Sequence, residues 1–163
     1  MKNFLGAADS IATQGAIYGA AGDGRVAFVD ARDIAAVAVK ALVEDGHVGK
    51  TYTISGPTAL TFAEAAREIG TGIGREARYA DLPDADLRGA LSSAGVPGDF
   101  IEVYSEGYRT ARLGLYDRVT STIEELTHAQ PRTLQGFARD YAGVFAGVST
   151  PGAARIVTAT DNT

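Results

Sequence analysis

The chain has 163 residues, enough for one domain with its own core, and its 45% hydrophobic and 21% charged content is that of an ordinary globular protein. The formal charge of −5, with 15 basic residues scattered along the sequence, excludes the clustered Lys and Arg that nucleic acid requires. With no cysteine, disulfides, thiolate catalysis and Cys-ligated metal are excluded as well.

The first predicted element is a short helix over residues 3–13, with Phe4, Leu5, Ala8 and Ile11 near one face. Gly15 ends it, and a Gly-rich loop covers 19–24. Residues 25–29 (RVAFV) read as a strand, apolar and β-branched at the centre. Asp30 then caps a helix, with Asp33 at its third position, where a carboxylate suits the positive end of the macrodipole. Ile34, Val37, Ala38, Ala41 and Leu42 form its stripe, and Asp45-Gly46 stops it. A second strand is expected at 51–54 (TYTI). Thr61 and Glu64 make a capping box that opens a helix to about Ile69, and 76–80 (EARYA) is the third short strand.

Beyond residue 80 the pattern is helical. Leu82-Pro83-Asp84 starts one helix, ending near Gly95, and Asp99 to Glu102 opens another with Val103, Tyr104, Tyr108 and Ala111 inward. Ser121 to Glu124 opens a short helix. Thr133 leads into a last one bearing Phe137, Tyr141, Val144 and Phe145. Residues 148–163 have Ser, Thr, Pro and Gly without periodicity and are expected to be a disordered tail. The chain thus divides into an alternating part, 1–80, a helical part, 81–147, and the tail. Three short strands are few for such a length, and a Val-rich strand flanked by helices wants neighbours on both sides.

The search for chemistry excludes more than it finds. The string Gly19-Ala20-Ala21-Gly22-Asp23-Gly24 has the look of a dinucleotide loop, but such a loop needs a strand before it and a helix N-terminus directly after. Here a helix is expected before and a strand after, so the loop reads as a turn. His47 lies in a turn and His128 ends a helix, neither with a ligand-spaced partner, so no metal is expected. No Gly-x-Ser-x-Gly elbow occurs. Asp30, Asp33, Glu64, Glu102 and Glu124 are each accounted for by helix starts. The aromatics at helical spacing are read as packing. Without an apolar run of ~18 residues or a signal-peptide pattern, the expectation is a cytoplasmic protein with no membrane partner.

The order of Gly22 to Ala35 (GDGRVAFVDARDIA) followed by Thr51 to Ala66 (TYTISGPTALTFAEAA) resembles the C-terminal half of the NmrA-like atypical short-chain dehydrogenase/reductases. The likeness is to the NAD(P)H:quinone or azo-dye reductase type and covers about residues 1–146. Met1-Lys2-Asn3-Phe4-Leu5 resembles the segment that follows the family's fifth sheet strand. The resemblance implies an incomplete Rossmann-type α/β fold that begins where a cofactor-binding half would end. It also implies a helical substrate-side part. The complete family protein would use NAD(P)H on a small-molecule acceptor, with hydride passing directly to a quinone-like group. That fits the absence of the short-chain reductases' tyrosine–lysine pair, since none of Lys2, Lys40 and Lys50 follows a tyrosine at that spacing. By position Asn3 and Phe4 would lie near the nicotinamide, and Tyr18 and Phe28 would wall the substrate cleft. This chain alone is expected to bind no cofactor and to be inactive, and to self-associate or pair with the other half. The alternative is a non-catalytic, redox-sensing NmrA-like regulator or protein-interaction module.

Overall fold

The computed structural model describes residues 1–147, and the expected tail at 148–163 lies outside them. A 3-10 turn, Lys2–Ala7, runs into α1 (Ala8–Gln14). Gly15 closes it at φ 61°, a left-handed conformation that glycine adopts without strain. The chain then extends as β1 (Ala16–Gly19), a strand that sequence reasoning did not foresee because it is short and merges into the glycines. β2 (Arg25–Val26) is only the first part of the expected 25–29 strand. The remainder of that segment lacks a full-length neighbour and is held singly, Ala27 N–H donating to Tyr116 O at 2.8 Å and Gly56 N–H to Ala27 O at 3.1 Å.

Asp30 begins α2 (Ala31–Val43), its carboxylate accepting from Arg32 N–H at 2.9 Å. Of the expected stripe only Val37 is buried; Ile34 and Leu42 are 42% and 85% exposed. Segment 51–54 has strand composition but joins no sheet among the described residues. β3 (Leu60–Thr61) pairs antiparallel with β2. The capping box is present as read: Glu64 N–H donates to Thr61 Oγ1 and Thr61 N–H to Glu64 Oε2, opening α3 (Phe62–Ile73). β4 (Arg78–Asp81), two residues later than expected, runs parallel to β1 with Ile17 opposite Tyr79 and Gly19 opposite Asp81. The sheet content is therefore two two-stranded pairs, β1–β4 and β2–β3, in four short segments rather than three.

The rest is helical: α4 (Asp84–Ser93), α5 (Gly98–Arg112), α6 (Thr122–Thr127), α7 (Leu134–Asp140) and α8 (Ala142–Phe145). This is the mixed α/β architecture expected, few strands followed by a helical body. On α5, Ile101 and Ala111 point inward, but Val103 is 70% exposed and Tyr104 39%, contrary to the reading of the sequence. The period allowed two apolar faces a third of a turn apart, and α4 covers only one.

The main core gathers Phe4, Ile11, Ile17, Ile69, Phe137 and Phe145, among others, so that α1, α3, α7 and α8 enclose β1. A smaller cluster of Ala20, Leu87, Leu91 and Ile101 joins α4 and α5 to the loop after β1. Buried carboxylates tie the ends together. Asp33, 3% exposed, accepts from Arg132 N–H at 2.8 Å and from Arg132 Nη1. Arg32 bridges Asp30 and Asp140, each at 2.7 Å.

Candidate functional site

In an open parallel sheet, side chains and backbone groups converge beyond the carboxyl ends of the strands, and ligands sit there. Here those ends are Gly19 on β1 and Asp81 on β4, with α5 crossing above. The strand β1 supplies half of what a dinucleotide loop needs, and this corrects the expectation that a helix directly precedes the glycines. The other half is lacking, since the loop leads into β2 and no helix N-terminus faces it.

Three of the loop's amide donors, those of Ala21, Gly22 and Gly24, are already engaged. Ala21 N–H donates to the Tyr79 hydroxyl at 2.8 Å and Gly22 N–H to Asp81 Oδ1 at 2.7 Å. Tyr79 in turn donates to Asp81 Oδ1 at 3.0 Å. Arg112 closes the network from α5, its Nε on Ala20 O at 2.5 Å and its Nη2 on Asp81 Oδ2 at 3.1 Å. A carboxylate of the chain itself thus stands where an anion would be cradled, so the described residues do not fit a diphosphate on this loop. An open hollow of about 380 Å³ on its outer side is lined by Gly22, Gly24, Arg25 and Arg112. Both arginines are paired, Arg25 with Glu64 at 3.0 Å and Arg112 with Asp81.

Next to the network stands a wall of half-buried rings. Phe62 is its centre, 5.2 Å from Phe28, 5.5 Å from Tyr79 and 5.4 Å from Tyr108 between centroids. Phe4, 6% exposed, closes one end 5.0 Å from Phe28. The Tyr108 ring lies against Gly19, where an added Cβ would come within 2.9 Å of it. Burial raises both phenols, Tyr108 to about 12 with a further push from Tyr104, and Tyr79 strongly upward. Both are therefore protonated at neutral pH, fit to donate hydrogen bonds and unfit to act as bases.

Of the four residues singled out from the sequence, Phe4 and Phe28 meet in this wall. Asn3 is exposed on the 3-10 turn, and the Tyr18 hydroxyl is spent on Gln14 Oε1 at 2.5 Å. Sequence reasoning missed Phe62, Tyr79, Asp81, Tyr108 and Arg112 as a group. The one available signal was Asp81 itself, a carboxylate just past the expected strand end and ahead of the helix that starts at Leu82-Pro83-Asp84. Among the described residues, no group of three His, Asp or Glu could hold a metal ion, and no helix is long and apolar enough to cross a membrane.

No protein-family model matches the chain. It is 35% identical over 145 residues to the NAD(P)H azoreductase of Xenophilus azovorans, covering 89% of this chain and 51% of that protein. It is 33% identical over 134 residues to quinone oxidoreductase 2 of Escherichia coli, 82% of this chain and 46% of that one. Among solved structures, the NADPH complex of the Escherichia coli NADPH-dependent quinone oxidoreductase matches with a TM-score of 0.78 and 30% identity, over 85% of this chain and 49% of that chain. The chain spans about half the length of the relatives it matches. These likenesses bear out the resemblance drawn from residues 22–66.

Proposed function

We propose that this chain, which is part of an NmrA-like reductase, is the acceptor-side portion of an NAD(P)H-dependent oxidoreductase that reduces quinone-like compounds. Among the relatives it matches are reductases named for NAD(P)H, azo compounds and quinones. The observation that carries the reading is the aromatic wall at the carboxyl ends of β1 and β4. Phe28, Phe62 and Tyr108 offer ring faces of the sort that hold a flat, conjugated acceptor, and Tyr108 offers a protonated hydroxyl beside them. Phe4 and Phe28 belong to that wall.

The reducing cofactor has no seat on the glycine loop, because Asp81 and Tyr79 fill it. The chain therefore contributes binding and orientation of the acceptor, and the cofactor is supplied by the other half of the reductase. Alone, the chain is expected to be inactive. Titration of NADPH into the 163-residue chain by calorimetry should give no binding at micromolar concentration, and micromolar affinity would refute this division of labour. A quinone panel then separates the enzyme from a redox-sensing regulator. NADPH consumption after the other half is supplied supports the reductase, and binding of NADPH without turnover of any quinone supports the regulator.

A further inference from the structure

Two phenols stand in the aromatic wall, and they are provided for differently. The Tyr79 hydroxyl accepts from Ala21 N–H at 2.8 Å and donates to Asp81 Oδ1 at 3.0 Å, so its proton is already committed. The Tyr108 side chain packs on Ala20, Leu87, Leu91, Ile101 and the Phe62 ring, and its hydroxyl makes no hydrogen bond among the described residues. A tyrosine buried to this degree ordinarily finds a partner for its O–H. Among the described residues Ser105 Oγ is the one unpartnered side-chain atom sealed from solvent, so the Tyr108 oxygen, equally unpartnered, is open to it. Burial and the neighbouring Tyr104 push the Tyr108 phenol up to about 12, which keeps the proton on it.

The hydroxyl is also held in a fixed place. Tyr108 lies one turn before Arg112 on α5, and Arg112 is pinned to Ala20 O at 2.5 Å and to Asp81 Oδ2 at 3.1 Å. Two turns on the other side, Ile101 is buried in the cluster shared with α4. Between these anchors the phenol end of the ring sits over Gly19 at the carboxyl end of β1. A Cβ at that position would stand 2.9 Å from Cε1, Cζ and the hydroxyl oxygen, so glycine leaves the space that the hydroxyl occupies. A donor already fixed by its helix loses little freedom when it meets an acceptor.

We propose that Tyr108 is a specificity-determining residue of the acceptor site, its hydroxyl donating to a carbonyl oxygen on the edge of a flat ring that lies on Phe28 and Phe62. The site then selects quinone-like carbonyl compounds over aromatic hydrocarbons of the same shape. A ring without oxygen makes the same apolar contact but strips the hydroxyl of water and offers it nothing in return. The inference deepens the reading of the wall as the acceptor's seat and rests on it.

The test titrates the full 163-residue chain with menadione, a methylated naphthoquinone, and with methylnaphthalene, the same ring system without its oxygens. The chain has no cysteine, so menadione cannot add to a thiol. Dissociation constants are read from backbone amide shifts by NMR. Tyr108→Phe, which keeps the ring and removes its oxygen, should weaken menadione by about three- to tenfold and leave methylnaphthalene as tight or tighter. Tyr104→Phe, one turn away on α5, should change neither. In the wild-type chain labelled at tyrosine Cζ, the Tyr108 signal should take a larger step with menadione than with methylnaphthalene. That reading needs no substitution and decides the matter if circular dichroism shows Tyr108→Phe to be misfolded. Unchanged menadione affinity in Tyr108→Phe, equal weakening of both ligands, equal Cζ steps, or a loss that follows Tyr104 instead would each overturn the donor. If both ligands still move the amides of residues 28 and 62, the wall survives as the acceptor's seat and the donor alone falls. If neither ligand moves them, the seat falls as well, and with it the observation that carries the proposed function.

Discussion

At Asp33 the macrodipole accounts for half of what the side chain does. The carboxylate sits in the first turn of α2, as a helix start prefers, but both of its oxygens reach across 99 residues to Arg132, one to the backbone N–H and one to the guanidinium. Removing it takes away both of these hydrogen bonds to Arg132, a loss of about 1–3 kcal/mol. Asp33→Ala should lower the urea midpoint accordingly, and Asp33→Asn, which keeps one acceptor, should lower it less. Asp30 makes the pH prediction. Its hydrogen bonds from Arg32 hold its carboxyl below the ordinary value, overcoming the opposing effect of burial. Its folded pKa is thus below the unfolded one, near 3.9. The stability it contributes is complete above about pH 4–5 and is lost as pH falls through the depressed value. Urea midpoints measured from pH 6 to pH 2.5 should show a steep acid fall that Asp30→Asn flattens; an unchanged slope would mean that other carboxylates govern it.

Between elements the tightest approach is at Gly56, whose N–H reaches Ala27 O across the turn after segment 51–54. A Cβ there would stand 1.9 Å from the Phe28 carbonyl oxygen, a backbone atom that cannot swing aside. Gly56→Ala should cost at least about 1–3 kcal/mol by thermal denaturation, and a neutral outcome would show that the 25–29 segment is loosely placed. Caps and helices were legible from the sequence for a local reason. The Thr61–Glu64 box, the Asp30 cap and the Thr133 cap are each decided within four residues. The strands were not, because a strand is made by its neighbour. Segment 51–54 has strand composition and no strand partner among the described residues, whereas Ala16-Ile17-Tyr18-Gly19, not read as a strand from the sequence, became β1 because β4 lies alongside. The site was hidden for the same reason. Tyr79, Asp81 and Arg112 are unexceptional singly and form a network only when β4 and α5 bring them to the glycine loop.

Over the whole molecule, a mixed α/β fold with few strands and a mostly helical body was readable, but not that the last helices return to the first. The helix α8 packs on α1, Phe137 and Phe145 share a core with Phe4 and Ile11, and Arg32 meets Asp140 at 2.7 Å across 108 positions. The chain is in effect a closed ring, fastened by apolar contacts and by two aspartate–arginine clasps. A ring can be cut once without falling into pieces. The turn at 44–49 is the natural place for a nick, with Val48 fully exposed and Gly46 and Gly49 at positive φ. Limited digestion with subtilisin should therefore give two bands on a denaturing gel that elute together, at the mass of the intact chain, from a sizing column. Separation of the two fragments would show that the clasps between the first helices and the last are too weak to stand in for the peptide bond.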